Sequence, residues 1–138
     1  MISRYDCPEI SQIWTNQNKF ETYLKVELAL VEALEGVKVP KGTAKTIKEN
    51  SKVDPERIKE IEATTKHDVI AFCTSITENL PEDISKFFHF GCTSSDIIDT
   101  ATNLQIKDSL KLILDQYESL LKALADKANE TKELPTMG

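Results

Sequence analysis

The chain has 138 residues and a formal net charge of −6, and 40% of its residues are apolar. This composition predicts one domain, or one domain and part of a second, around a mainly aliphatic core. The acidic balance argues against nucleic-acid binding, which needs a basic stripe, and no apolar run reaches the ~20 residues of a membrane span.

The first part of the chain predicts four helices with short connections. They are expected over residues 9–14, 15–35, 41–51 and 56–65. Gly36 is placed to end the second helix as the residue after its C-cap. Asp54 and Pro55 give the fourth helix an N-cap acid and a proline at its first position.

A fifth helix is predicted after His67, with Asp68 as its N-cap. We expect its inner face to hold four apolar residues, Ile70, Cys73, Ile76 and Leu80. Pro81 ends this helix and starts a short turn over residues 82–88. No strand-like alternation or internal repeat interrupts the helical pattern.

The last segment, from about Ser95 to about Glu133, contains no Gly or Pro and keeps apolar residues at three- and four-residue steps. It predicts one helix roughly 55 Å long. A body formed by residues 1–94 is at most about 30 Å across, so it cannot cover the whole apolar stripe. We therefore predict an all-α fold: a helical N-terminal domain, residues 1–94, and the first long helix of a central helical bundle, residues 95–138, completed by further sequence or other subunits.

The start of the long helix is a candidate site for an anion. Thr93, Ser94 and Ser95 favour an N-cap, and Gly91 lets the backbone turn just before them. Free backbone N–H groups and hydroxyls at a helix start suit a carboxylate or a phosphate. A well-capped helix without a ligand is the alternative interpretation.

Both histidines of the chain precede predicted helices. Asp68 could hold the ring of His67 in one tautomer, and His89 precedes the hydroxyl cluster. Two titratable rings at helix starts suit proton transfer on an anionic substrate, although a surface histidine and one packed among phenylalanines explain them too. Arg4 beside Tyr5 is a candidate phosphate contact or a solvated arm.

The three cysteines, Cys7, Cys73 and Cys92, are widely spaced and fit neither a disulfide framework nor a zinc site. They predict a reducing, cytoplasmic setting, and the N-terminus has no apolar segment typical of a secretory signal. The chain also lacks a glycine-rich phosphate loop and the spacing of a metal site, so we expect no cofactor.

Several stretches together carry a family resemblance. They are Arg4-Tyr5, Pro8-Glu9, Ile13-Trp14, Lys19-Phe20, Val26-Glu27, Glu62, His67 to Phe72, His89 to Ala101 and Met137-Gly138. In the same order along the whole chain, they resemble the N-terminal part of the adenylosuccinate lyases, in the fumarase/aspartase superfamily. The Thr-Ser-Ser-Asp turn is shared across that superfamily and by the carboxymuconate cycloisomerases, whereas Arg-Tyr and His-Asp-Val favour the adenylosuccinate lyases.

The resemblance implies a β-elimination. A base removes a proton from the succinyl carbon, an acid protonates the departing nitrogen, and fumarate leaves. The implied substrates are adenylosuccinate, which gives AMP, and succinylaminoimidazole carboxamide ribotide of purine biosynthesis. The family uses no metal or organic cofactor and forms a homotetramer in which three subunits share each active site.

By the same resemblance, the substrate-binding residues are expected to be Arg4, Tyr5, His67, Asp68, Val69, His89, Thr93 and Ser94. His67 would support catalysis near the reacting succinyl group, and His89 would lie nearby. Thr93 and Ser94 would hold a succinyl carboxylate. Arg4 and Tyr5 would contact the nucleotide, chiefly its phosphate.

The resemblance also implies what these residues do not supply. The family's Arg-Thr-His, whose histidine is the usual general acid, would follow residue 138, and the serine that acts as base would lie further on. We therefore expect an N-terminal fragment that is inactive alone. The alternatives are another lyase of the superfamily, a carboxymuconate cycloisomerase, or a non-catalytic helical interaction module.

Overall fold

The computed structural model describes residues 3–135 and 137. In that part of the chain, a short 3-10 helix precedes seven α-helices. They are Ser3–Tyr5 for the 3-10 helix, then α1 Pro8–Ile13, α2 Asn16–Leu34, α3 Thr43–Asn50, α4 Pro55–Thr65, α5 Asp68–Thr77, α6 Glu82–Ser85 and α7 Ser94–Thr131. The predicted all-α fold is confirmed. None of the described helices has both the length and the apolar character needed to cross a membrane.

The ends of α2 and α4 follow the predicted signals. Gly36 adopts φ +78° after the C-cap of α2, and its N–H donates to the Val39 carbonyl at 2.8 Å. Asp54 caps α4, because its carboxylate accepts the N–H groups of Glu56 and Arg57 at 3.1 and 3.2 Å. These local interactions fix where the helices of the body begin and end.

The start of α5 corrects the prediction, which made Asp68 the cap. His67 is the N-cap, and its Nδ1 accepts the Ile70 N–H at 3.4 Å, while Asp68 is the first helical residue. The predicted inner face is also wrong at one position, since Ile70 is 51% exposed and Val69 is buried. Positions 69, 72 and 76 form the buried stripe, and residue 70 lies about 100° around the helix from the first of them.

The core lies where α2, α5 and the first half of α7 meet. Eleven of its fifteen buried apolar residues are aliphatic, as the composition predicts, and four are aromatic. Neighbouring rings in that aromatic group have centroids 5.6 to 5.9 Å apart; its members are Phe20, Tyr23, Phe72 and Phe88. Edge-to-face and offset contacts at such distances stabilise a core beyond simple burial.

Helix α7 belongs to two environments. Its first half packs on the body through a buried row at four-residue steps, Ile97, Ala101, Gln105 and Ser109. Two hydrogen bonds tie it to the end of α1: Gln105 Nε2 donates to the Ile13 carbonyl at 2.6 Å, and Trp14 Nε1 donates to Ser109 Oγ at 3.0 Å.

Beyond Ser109 the same helix leaves the body, and we call residues 110–131 the rod. Seven of its large apolar side chains are exposed: Leu110, Ile113, Leu114, Tyr117, Leu120, Leu121 and Leu124. The prediction that the body covers only part of the apolar stripe is confirmed.

Candidate functional site

The turn before α7 presents hydrogen-bond donors at the surface. Thr93 is the N-cap, and its N–H donates to the Asp96 carboxylate at 2.9 Å, as in a capping box. Gly91 adopts φ +76°, which directs the chain into the helix. Asp96 thus satisfies one donor of this helix start, and the N–H groups and hydroxyls of Ser94 and Ser95 stay available to an anion.

A depression of about 280 Å³ connects the start of α5 with α7. Its lining includes Asp68 of α5 and Ile98 and Thr102 of α7. Ser94 precedes Ile98 by four residues, so it lies on the same face of α7, about 6 Å nearer the helix start. Asp68 therefore lies beside the face of α7 that carries Ser94.

A larger hollow of about 530 Å³ adjoins this depression on the other side of Asp68. Asp68 and Lys19 line both hollows. The rest of its lining comes from α2, α4 and the connection to α5: Asn16, Phe20, Pro55, Glu56, Ile58, Lys59, Glu62, Lys66 and His67. Three lysines and a histidine beside three acids give this hollow a mixed charge that suits a ligand with both anionic and donor groups.

The residue that the sequence reasoning missed is Glu27 of α2, whose side chain is 0% exposed. Its Oε1 lies 2.6 Å from Nδ1 of His89, and its Oε2 accepts the His89 backbone N–H at 3.1 Å. Burial raises the pKa of Glu27, and the contacts with His89 act against that rise. The sequence contains a signal for this residue, because Glu27 is an acid at helical spacing within the apolar row of α2. A buried acid requires a hydrogen-bonded partner.

Two thiols complete the surroundings of this pair. Cys92 Sγ lies 3.3 Å from His89 Nδ1, and Cys73 has a sulfur within 4.8 Å of the same groups. Burial, followed by the charge of Glu27, raises the pKa of Cys73 to about 12 and that of Cys92 to about 11, so both thiols are neutral at pH 7.

Glu27, Cys73 and His89 offer donor atoms typical of a metal site, but their spacing fits a hydrogen bond. Two ligands of one zinc ion would lie about 3 Å apart with the metal between them. The 2.6 Å separation of Glu27 Oε1 and His89 Nδ1 is instead that of a short charge-assisted hydrogen bond.

The remaining predicted site residues are Val69, Arg4 and Tyr5, and in the described part of the chain none of them forms a hydrogen bond with Glu27 or His89. Val69 is 1% exposed, its side chain belongs to the core, and its N–H donates to Asp68 at 2.8 Å. The Arg4 guanidinium stacks 4.9 Å from the ring centroid of Tyr5, which is exposed. Within residues 3–135 and 137, Arg4 and Tyr5 form no hydrogen bond with the other candidates. Gly138 of the resemblance lies outside the described residues.

Comparison with known proteins places these features in a family. A sequence profile described as "Lyase" matches residues 4–138. Over its whole length, the chain is 43% identical to the adenylosuccinate lyase of Synechocystis sp., 42% to that of Staphylococcus saprophyticus and 40% to that of Thermotoga maritima. It spans about a third of those proteins, 32% of each.

A solved structure shows the same fold. A fumarate lyase from Mesorhizobium sp. BNC1 matches with a TM-score of 0.81 and 28% identity, over 89% of this chain and 30% of that one. Because the family profile covers residues 4–138 and the fold agrees, the chain belongs to the lyase family.

Proposed function

We propose that the chain is the N-terminal part of an adenylosuccinate lyase. The enzyme releases fumarate from adenylosuccinate, giving AMP, and from succinylaminoimidazole carboxamide ribotide. The observation that carries this proposal is the identity of 40 to 43% with three adenylosuccinate lyases along the whole chain. The donors at the start of α7 support it, since a succinyl group presents carboxylates to such a site.

In this proposal, the start of α7 stabilises charge during elimination. Removing a proton from the succinyl carbon places negative charge on the adjoining carboxylate. Thr93 and Ser94 provide donors that are already oriented by the helix, so they bind this charge without reorganising. Asp96 occupies the Thr93 N–H, which leaves the Thr93 hydroxyl and the groups of Ser94 for the substrate.

His67 and Asp68 lie next to the reacting group in this proposal. His67 Nδ1 accepts a backbone N–H from Ile70, so a neutral His67 ring carries its proton on Nε2 and donates there. That donor supports substrate binding and catalysis. The general acid and the general base come from sequence outside these 138 residues, and the reaction requires no metal or organic cofactor.

The remaining assignments are also proposals. Arg4 and Tyr5 contact the phosphate, His89 lies near an anionic part of the substrate, and Val69 contributes through its backbone. Arg4 and Tyr5 form no hydrogen bond with the other candidates in the described residues, which fits a site shared by several subunits.

The enzyme is proposed to be a cytoplasmic homotetramer. Residues 1–94 form its N-terminal domain, and residues 95–138 begin the central bundle that covers the rod. The exposed apolar face of the rod supports assembly, and three free thiols support a reducing compartment.

The test is fumarate release from adenylosuccinate by the full-length protein. Thr93→Ala and Ser94→Ala should each lower kcat by about 100- to 1000-fold, as loss of an oriented donor to developing charge does. Thr46→Ala is the matched control, because it removes an exposed helix hydroxyl bonded only to the Gly42 carbonyl.

Rates within twofold of wild type in both site variants would contradict the carboxylate site. Fumarate release from a different succinyl compound, with none from adenylosuccinate, would instead identify another member of the family.

A further inference from the structure

The buried contact between Glu27 and His89 has no role in the reaction described so far. Glu27 is enclosed by the core, yet both oxygens of its carboxylate contact His89, one the ring and the other the backbone N–H. His89 itself adopts φ +59°, a left-handed conformation that a non-glycine residue rarely holds without support. Two bonds from one carboxylate thus hold the backbone and the ring of the same residue.

The other ring nitrogen, Nε2, takes no part in the contacts with Glu27 and Cys92. The His89 side chain is 25% exposed, although its Nδ1 points to a fully buried carboxylate. In the described part of the chain, Nε2 has no hydrogen-bond partner among the side-chain contacts of His89, which all involve Nδ1. The protonated ring has Nε2–H as its second donor, which is what an anionic oxygen requires.

The neighbouring groups leave Glu27 as the charged partner of the ring. Cys92 contacts the same Nδ1, and Cys73 lies beside Glu27, but burial keeps both thiols neutral. Cys92, whose sulfur lies 3.3 Å from His89 Nδ1, directly precedes Thr93, so the ring lies close to the start of the α7 turn.

We propose that Glu27 is a positioning residue: it holds the imidazolium form of His89 by Nδ1–H, so that Nε2–H donates to an anionic group of the substrate beside the α7 turn. This inference rests on the proposed function and deepens it. Glu27 touches no substrate atom and acts only through the His89 ring.

The experiment compares Glu27→Gln, His89→Gln and the double variant in the full-length protein, with adenylosuccinate as substrate. Gln keeps the shape of Glu and an oxygen for the His89 N–H, but its amide loses the charge that holds Nδ1–H. We expect Glu27→Gln to raise KM by about 10- to 100-fold with a smaller change in kcat, as loss of uniform binding does. Glu32→Gln, an exposed position on the same helix, is the matched control.

The double variant separates positioning from a structural role. If Glu27 acts through the ring, Glu27→Gln has little further effect on kcat/KM once His89 is replaced. The inference would be overturned if the double variant lost kcat/KM by the product of the two single losses, or if the KM of Glu27→Gln stayed within twofold of wild type. Either result would leave the proposed function standing. A wild-type protein without fumarate release would overturn both.

A crystal structure of Glu27→Gln gives a readout that does not depend on activity. The expected result is a His89 ring rotated away from its position beside residue 27, with the helices of the body unchanged. A ring in the wild-type orientation would overturn the inference.

Discussion

The two halves of α7 have similar sequences and opposite surroundings. Both halves repeat apolar residues at three- and four-residue steps, and no helix-breaking residue separates them. The first half buries its row against α2 and α1, whereas the rod exposes all its large apolar side chains except Leu112, which is half-buried. Periodicity therefore indicates which face of a helix is apolar, and only the length of the neighbouring elements decides whether that face is covered.

The body and the rod also differ in what stabilises them. The body is stabilised by its own core and by two hydrogen bonds between α7 and the end of α1. Trp14 donates to Ser109, and Gln105 donates to the Ile13 carbonyl. The rod has no such contacts in the described part of the chain, and an exposed apolar face of this kind is typical of a surface that packs against another segment or subunit.

The largest expected effect comes from placing charges on the apolar face of the rod. Replacing Ile113 and Leu120 by Asp in the full-length protein places charges where apolar burial supports assembly. Each lost side chain is worth about 2–3 kcal/mol at every contact, so we expect the dissociation constant of the assembly to rise at least about 100-fold. Sedimentation equilibrium measures it.

The control for the rod carries the same charges on its other side. Ser119→Asp and Asn129→Asp alter exposed polar positions, each about 100° or more around the helix from Ile113 and Leu120, and should leave the oligomer intact. An assembly that survives the two changes at Ile113 and Leu120 would show that the rod face is not the interface.

The next largest expected effect is a loss of folding stability when a core residue of the body is shortened. Ile97 is fully enclosed between α7 and the core, so Ile97→Ala should lower the free energy of unfolding by about 2–4 kcal/mol. Denaturant unfolding followed by circular dichroism measures this change. Val37→Ala, at a position that is 76% exposed, should change it by less than about 0.5 kcal/mol. Equal losses in the two variants would contradict the assignment of the core.

A smaller effect separates two roles of one residue in the body. His67 caps α5, so His67→Ala should lower the free energy of unfolding by about 1 kcal/mol, and His67→Asn should restore most of it because Asn is a strong N-cap. Both variants should lose activity if the ring itself serves the substrate. Thermal unfolding measures the change in stability, and fumarate release by the full-length protein measures the change in activity. Full activity in His67→Asn would show that His67 serves only as the helix cap.

The smallest effect concerns the connection between α2 and α3. Glu35 accepts the Ala44 N–H at 2.8 Å, and hydrogen bonds from Ala44 and Gly42 hold its pKa below the ordinary value of 4.5. Because the folded state lowers this pKa, the stabilisation is present above pH 4.5 and is lost as pH falls through the folded value. The difference in stability between wild type and Glu35→Gln should therefore be constant near neutrality and shrink in acid. A difference that grows in acid would contradict this sign.

Much of the fold could be predicted because its signals are local. Gly36, Asp54 and Pro55 act within a few residues of their own positions, and the structure confirms the helix ends that they predict. The hydroxyl turn before α7 was found in the same way. The exposed rod followed from length alone, since a body of this size cannot cover so long a helix.

The errors arise where tertiary packing decides between similar residues. Val69 and Ile70 are both β-branched and adjacent, so composition could not show which one faces the core. The contact of Glu27 with His89 joins residues 62 positions apart, and no local pattern predicts such a pair. Under the proposed function, the candidate site is only partly contained in these residues, so the groups that transfer protons could not be located from them.

Continuity of α7 has a mechanical consequence. Helix α7 runs unbroken for 38 residues, and Ser94 lies about 22 Å from Ser109, where the helix leaves the body. A tilt of about 3° around that exit point would displace the hydroxyl turn by about 1 Å, a shift that can change a reaction rate about 100-fold. Under the proposed function, a ligand or substitution that tilts the rod would therefore change the reaction rate at the hydroxyl turn without contacting that turn.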